Sequence, residues 1–277
     1  MNLFDQMLSR YNLQTNDDYI NAQHEVMQQV TLAGLYRGSF FNKAAFYGGT
    51  CLRIFYGLQR FSEDMGFSLL QSATDFKLEN YFEPIILEFN ALGRDVVIIK
   101  KEKKKQTNVE SAFLKDDTAV YNLQFRTERT IKIKIEVDIN PPSGFSTEHK
   151  FLLLPFSFMA RCYVLPDLYA GKMHALLFRS WKNRVKGRDW YDFEWYVKNN
   201  TPLNFKHLSE RTNQFGSLTQ GELTQNNFIQ LLKDVISKTN IEMVKADVRP
   251  FIKNPGEMDI WSTEYFTQLA DMILFEK

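Results

Sequence analysis

Residues 43–70 decide how this chain is read: Lys43-Ala-Ala-Phe-Tyr47, then Gly48-Gly49-Thr50, then Cys51-Leu-Arg53-Ile-Phe-Tyr-Gly-Leu58, then Gln59-Arg60-Phe61-Ser62-Glu63-Asp64-Met65-Gly66-Phe67-Ser68-Leu69-Leu70. The first block is short and apolar enough to end a strand, Cys51 to Leu58 reads as a short helix, and Phe61 to Leu70 alternates as a second strand does. Two glycines between a strand and a helix let backbone N–H groups approach a phosphate, and the helix N-terminus favours its negative charge. Alone, a Gly-Gly pair is equally a tight turn, and this one is no P-loop, because no Gly-Lys-Ser/Thr follows. On the second strand, side chains two apart share a face. Ser62, Asp64, Gly66 and Ser68 are therefore expected to point one way, and Phe61, Glu63, Met65 and Phe67 the other.

Working outward, Asn16 to Tyr36 carries apolar residues at helical spacing, with Asn16 or Asp17 as the expected cap. Asp75 to Leu92 reads as a helix interrupted at Pro84, and Asp95 to Lys101 as a strand. Ala119 to Phe125 and Thr130 to Asn140 read as two paired strands. In the second, Ile131, Ile133, Ile135, Val137 and Ile139 are expected in the core, while Lys132, Lys134, Glu136 and Asp138 face away. A solvated face explains the lysines, but not an Asp set between Val137 and Ile139 at a strand end, where side chains open into a crevice. Phe151 to Leu154 and Arg161 to Val164 are shorter strands. After Pro166 the pattern is helical, near 167–180, 189–198, 205–213, 225–238 and 262–275. The shift from mixed to helical composition places a domain boundary near Leu165, giving units 1–165 and 166–277.

With 34 basic and 33 acidic side chains the 277-residue chain is almost neutral, which excludes a globally basic nucleic-acid coat protein. Two cysteines, Cys51 and Cys162, lie in apolar sequence and form no CxxC, so neither a zinc site nor a disulfide framework is expected. No apolar run reaches bilayer length and no signal-like N-terminus is read, so a cytoplasmic protein without a membrane partner is expected.

The second half has a cationic arm. Arg179, Lys182, Arg184, Lys186 and Arg188 fall within ten residues, with Trp181 inside and Trp190 just beyond. Cations interleaved with indoles suit a phosphate backbone and a stacked base, although a charged inter-helix loop has the same composition. Asp189 and Asp192 share a helical face, and Asp189 could equally cap that helix. The run Lys100-Lys-Glu-Lys-Lys-Lys105 reads as a solvated turn more readily than as an RNA contact.

Taken together, Gly48-Gly-Thr-Cys-Leu-Arg53 and Arg60-Phe-Ser-Glu-Asp64-Met-Gly-Phe67 resemble the first signature of the AbiEii/AbiGii-type nucleotidyltransferase toxins, which are similar to polymerase-β-type nucleotidyltransferases. Asp138 matches the family's separate strand carboxylate. Asp167-Leu-Tyr-Ala-Gly-Lys172-Met-His-Ala-Leu and Lys186-Gly-Arg-Asp189-Trp-Tyr-Asp192-Phe resemble its later signatures. The resemblance implies an α+β fold: a polymerase-β-like core with a mixed sheet flanked by helices, plus a helical C-terminal domain that completes the cleft. It implies transfer of a nucleoside monophosphate from an NTP to an acceptor such as the tRNA 3′ end, by a toxin of a toxin–antitoxin or phage-defence system with a cognate antitoxin. In its roles, Gly48, Gly49 and Thr50 cradle phosphate, supported by Arg53, Arg60 and Ser62. Asp64 and Asp138 hold Mg²⁺ or Mn²⁺. Lys172, Arg188 and Asp189 act from the helical side, and Arg179, Lys182, Arg184 and Lys186 meet RNA.

The chain departs from the family pattern at Gly66, where a second metal-binding Asp is expected. Glu63 is a poor replacement, because neighbouring strand residues face oppositely. Either the enzyme is naturally degenerate, or an inactivating substitution has been introduced into a toxic protein. The single base change separating Asp and Gly codons, in an otherwise intact signature, favours the second. Impaired transfer is the expectation in both cases. Two alternatives keep the same residues: a silent nucleotidyltransferase-like module that binds RNA or protein, and an enzyme that modifies protein hydroxyls.

Overall fold

The computed structural model describes residues 2–100, 118–125, 132–178, 185–216, 218 and 223–276. Its chain divides into two compact units. The first comprises Met1–Gly57, Phe61–Pro141 and Thr147–Cys162; the second comprises Leu58–Arg60, Pro142–Ser146 and Tyr163–Lys277.

The first unit is built on a mixed sheet. Its strands are β1 (Ala44–Tyr47), β2 (Met65–Leu69), β3 (Val96–Lys100), β4 (Thr118–Phe125), β5 (Lys132–Asp138), β6 (Thr147–Leu152) and β7 (Phe158–Tyr163), in the order β3-β4-β5-β2-β1-β7-β6. β2 runs antiparallel to β1 and parallel to β5, with Tyr47 opposite Gly66, Gly66 opposite Glu136 and Ser68 opposite Asp138. The alternation in β5 is as the sequence predicts: Ile133, Ile135 and Val137 are fully buried, and Lys134, Glu136 and Asp138 lie on the other face. Phe67 of β2 packs between Phe40 and Phe46, with ring centroids 5.1 and 4.9 Å away. Each buried phenyl contributes about 1.5–3 kcal/mol of burial free energy.

Helices cover this sheet: α1 (Leu3–Leu8), α2 (Asn16–Arg37), α3 (Gly49–Tyr56) and α4 (Phe82–Ala91). α2 is capped one residue earlier than expected. The Thr15 hydroxyl accepts from the Asp18 N–H, and the Asp18 carboxylate accepts from the Thr15 N–H. This reciprocal pair satisfies two N–H groups at once, which Asn16 or Asp17 alone would not. α2 and α4 cross at Gly34, where an added Cβ would lie 2.5 Å from the Ile85 Cα.

The second unit is helical: α5 (Leu165–Phe178), α6 (Gly187–Lys198), α7 (Phe205–Gln214), α8 (Gln225–Lys238), α9 (Ile241–Val248) and α10 (Thr263–Asp271). α9 and the N-terminal α1 are absent from the sequence reading. Among the described residues no helix is long and apolar enough to cross a membrane.

Candidate active site

Gly48 carries the bend between β1 and α3. Its φ of +85° is left-handed, and an added Cβ would meet nothing within 4 Å. The backbone therefore needs glycine for its conformation, while the space beside it stays open. Thr50, one residue into the helix, is fully buried. Its hydroxyl donates to the Asp64 carbonyl at 2.5 Å and is bonded to the Ser62 hydroxyl at 2.9 Å. The Thr50 and Ser62 side chains thus fasten α3 to the approach of β2.

A residue the sequence reading passed over completes this anchoring. Gln28, 1% exposed in the apolar half of α2, donates from Nε2 to the carbonyls of Ser62 and Glu63, at 2.9 and 3.0 Å. Its signal was a Gln inside Val26-Met27-Gln28-Gln29-Val30. Three consecutive carbonyls, 62 to 64, are thereby bound by side chains of α2 and α3. Strand pairing starts only at Met65, and Asp64 sits exposed at its threshold.

Arg53 is engaged as well. Its Nε donates to Glu25 at 2.8 Å and its guanidinium lies over the Phe61 ring at 4.7 Å. Glu25 also accepts from the Tyr11 hydroxyl, so this group ties α3 to the N-terminal segment.

The register of β2 and β5 separates Asp64 from Asp138. Asp138 lies level with Ser68, whereas Asp64 precedes Met65, which is level with Ile135. At the usual strand rise and spacing this puts the two α-carbons about 14 Å apart, and Glu136 about 8 Å from Asp64. Asp138 Oδ1 also accepts from the Asn140 N–H at 3.1 Å. By the parallel register Glu136 is level with Gly66 and is a nearer carboxylate to Asp64 than Asp138 is. Glu136 is itself ion-paired with Lys134. An added Cβ at Gly66 would lie 3.3 Å from the Tyr47 carbonyl oxygen and 3.4 Å from its ring. The described residues contain no group of three or more His, Cys, Asp or Glu able to hold a metal ion. A resident centre of two divalent ions therefore does not fit this donor set.

The second unit carries its own charged cluster. Arg60 is 2% exposed, and its Nε and Nη2 each lie 2.6 Å from an oxygen of Asp192. Burial opposes the guanidinium charge, but Asp192 outweighs it by charge and hydrogen bonding, and the Arg60 pKa is raised. A buried, bidentate arginine cannot also reach a nucleotide, so its expected phosphate role is corrected. Lys172 Nζ sits 2.7 Å from Asp189 and 2.8 Å from Asp192, with 13% of its side chain exposed. Asp189 is thus a partner of Lys172 more than a helix cap; its N–H donates to the Lys186 carbonyl. The Arg188 guanidinium lies 4.1 Å over the Phe251 ring. Lys186 flanks α6 half-exposed, and Arg179, Trp181, Lys182 and Arg184 lie outside the described residues, as do 101–105 of the lysine run. Trp190 is buried against Phe266, at 5.0 Å, which corrects its reading as a stacking platform.

A family model described as nucleotidyl transferase AbiEii toxin, type IV TA system, matches residues 30–276. No curated protein sequence matches the chain. Among solved structures the chain is similar to MenT4, a nucleotidyltransferase toxin from Mycobacterium tuberculosis H37Rv. That match has 15% identity over 96% of this chain and 87% of the other, with a TM-score of 0.54. It is also similar to JHP933 from Helicobacter pylori, with 17% identity over 91% and 89% of the two chains and a TM-score of 0.51. These likenesses are of fold, and they agree with the α+β architecture described. The family match spans most of the chain and includes the glycine bend, Asp64, Lys172 and Asp189: the chain belongs to the AbiEii nucleotidyltransferase toxin family of type IV toxin–antitoxin systems.

Proposed function

We propose that this chain transfers a nucleoside monophosphate from an NTP to an acceptor hydroxyl, with the tRNA 3′ end as acceptor, and that it is restrained by a cognate antitoxin. The observation that carries this reading is the Gly48 bend, open at the α3 N-terminus and fastened through Thr50 to the Asp64 carbonyl. Backbone N–H groups there receive phosphate oxygens, and the helix dipole favours their charge. The acceptor oxygen bonds the α-phosphorus as the bond to the β-phosphate oxygen breaks, and pyrophosphate leaves. Asp64, exposed beside the bend, orients the acceptor hydroxyl or takes its proton. In the helical unit Lys172 is held by Asp189 and Asp192. An ion that arrives on the triphosphate belongs to the substrate, since among the described residues no group of three or more carboxylates or other ligands builds a resident centre. The loss of a carboxylate at Gly66 makes transfer slow in this reading, and it also favours a second one, binding of RNA or protein without transfer.

Incubation with each α-labelled NTP, total tRNA and candidate proteins tests both. Label at the tRNA 3′ end is expected. Label on protein alone would replace the acceptor, and no label from either wild type or Gly66→Asp would leave the silent-binder reading.

A further inference from the structure

A cavity of about 500 Å³ opens in the first unit, at the far end of β1 and β2 from the Gly48 bend. The two strands are antiparallel, with Ala44 opposite Leu69 and Tyr47 opposite Gly66. Lys43 and Leu70 therefore lie at one end, and Gly48 and Asp64 at the other. Five residues of strand separate Lys43 from Gly48, which is about 16 Å at the usual rise. The volume is that of a small-molecule site, in the range of about 300–1,000 Å³. Its wall is fixed by the backbone: the Leu70 N–H donates to the Lys43 carbonyl at 2.8 Å, and the Ala73 N–H to the Ile139 carbonyl at 3.0 Å. Its floor is apolar, with Leu69 and Tyr81 2% and 8% exposed and the Phe76 ring 6.0 Å from that of Tyr81. Its rim carries Asn42, Lys43, Asp75, Lys77 and Asn80, all exposed. Among the described residues none of these five side chains is hydrogen-bonded or ion-paired within the chain, and Asp75 is paired with neither lysine.

We infer that this cavity binds a ribonucleoside 5′-monophosphate unit, free or within an RNA chain, with its phosphate at Lys43 and Lys77, its ribose at Asp75 and its base over Phe76. Two ammoniums against one carboxylate leave the rim a net charge of +1. An ammonium is a compact charge on a flexible stem and reaches phosphate without bidentate geometry. A carboxylate only accepts, so Asp75 suits ribose hydroxyls, which donate, and not a second acidic group. The amides of Asn42 and Asn80 each offer a donor and an acceptor, as the edges of bases do. An aromatic ring in the floor offers a face on which any base stacks. A fatty acid would leave the amides and Asp75 unmatched, and a neutral sugar would leave both lysines; a nucleotide uses every one of these groups. The inference draws on neither the Gly48 bend nor Asp64, so it goes beyond the transfer reading and fails separately from it.

The test is calorimetric titration of the full chain with each ribonucleoside 5′-monophosphate, its 2′-deoxy counterpart, inorganic phosphate and a short single-stranded RNA. At least one ribonucleotide or the RNA is expected to bind at one site per chain, more tightly than phosphate. Lys43→Met combined with Lys77→Met, which keeps both stems, is expected to weaken that binding by about tenfold or more. Ribose is expected to be preferred over deoxyribose by about five- to tenfold, and Asp75→Ala to abolish the preference. These side chains are exposed, and circular dichroism confirms that the variants fold. Binding of mononucleotides identifies a free nucleotide as the source, and binding of the RNA alone identifies a unit of a chain. An unchanged affinity in the double lysine variant places the nucleotide elsewhere and overturns the inference. Phosphate bound as tightly as every nucleotide, or no binding of any probe, overturns it too, while label transfer from NTP still tests the transferase reading by itself.

Discussion

Arg60 and Asp192 stand 132 residues apart in sequence and meet in a twofold hydrogen bond inside the helical unit, at 2.6 Å for each contact. The same carboxylate, fully buried, also reaches Lys172 at 2.8 Å. Asp192 therefore does two jobs: it neutralises a buried guanidinium and holds one side of Lys172. Asp192→Ala should cost about 3–5 kcal/mol, because it leaves Arg60 buried without its counter-charge. Combining Arg60→Met with Asp192→Leu should recover most of that stability, since both charges go together, yet transfer should stay low because Lys172 keeps only Asp189. Urea unfolding and labelled transfer check the two halves; a double variant with full activity would show that Asp192 does not steer Lys172.

Gln28 holds the carbonyls of Ser62 and Glu63, and Thr50 holds that of Asp64. Gln28→Met keeps the volume but leaves two acceptors without these bonds, so a loss of about 1–3 kcal/mol is expected. A larger proportional fall in transfer than in folded fraction should accompany it, because the two peptides leading into Asp64 lose their anchor while only the Thr50 bond remains. Equal falls would reduce Gln28 to a stability residue.

These contacts also explain what could be read in advance. The glycine bend and the alternation of β5 were legible because both are local: a required positive φ at Gly48, and a period of two in Ile133-Lys-Ile-Glu-Val137 along 132–138. β2 proved shorter than Phe61–Leu70 because carbonyls 62 to 64 bind side chains of other helices, which no local pattern records. Asp138 looked like a partner for Asp64 because strand periodicity gives a face but not a register, and register alone makes Glu136 the nearer group. Arg60 was misassigned for a similar reason, its buried partner being remote in sequence.

Gly66→Asp should raise transfer in Mg²⁺ by about ten- to a hundredfold, the range of one well-placed charged contact. The added Cβ lies 3.3 Å from the Tyr47 carbonyl oxygen and 3.4 Å from its ring, so Tyr47 must give by a few tenths of an ångström. The tightest contact is with the Tyr47 backbone, which alanine keeps, so Tyr47→Ala with Gly66→Asp should match Gly66→Asp alone. Initial rates with a labelled NTP decide it; no gain in either variant would dissociate Gly66 from poor turnover.

Gly187 opens α6 against α9, and its N–H donates to Asp247 at 2.9 Å. A Cβ there would overlap the Val244 carbonyl oxygen and lie 2.9 Å from Val248 Cγ2. Gly187→Ala should destabilise the helical unit by about 1–3 kcal/mol through overpacking, despite the better helix propensity of alanine. Thermal melts of the two proteins test this, and an unchanged or raised Tm would contradict the close approach.

Two buried groups of the helical unit hold the segment Pro142–Ser146 and titrate with opposite consequences. Asp167 accepts from the Ser146 N–H at 2.5 Å and from Asn204 Nδ2 at 2.6 Å, and burial raises its pKa to about 6. His207 Nδ1 donates to the Ser143 carbonyl at 2.9 Å, and burial, then Arg211, lowers its pKa to about 4. For Asp167 the folded state binds its proton more tightly than the unfolded chain, so its contribution is full below about pH 4 and is lost as pH rises through about 6. For His207 the unfolded chain binds the proton more tightly, so its contribution is full above the ordinary histidine pKa and is lost as pH falls toward about 4. Over that window the two slopes offset each other. His207→Asn, whose amide can still donate to Ser143, should remove the histidine slope and leave stability falling as pH rises from about 4 to 6. Asp167→Asn should weaken the fold throughout, because an amide cannot accept from both donors, and the gap from wild type should narrow with rising pH. Urea midpoints across this range decide the matter: a His207→Asn profile parallel to wild type would mean that the imidazole is not held neutral by its surroundings.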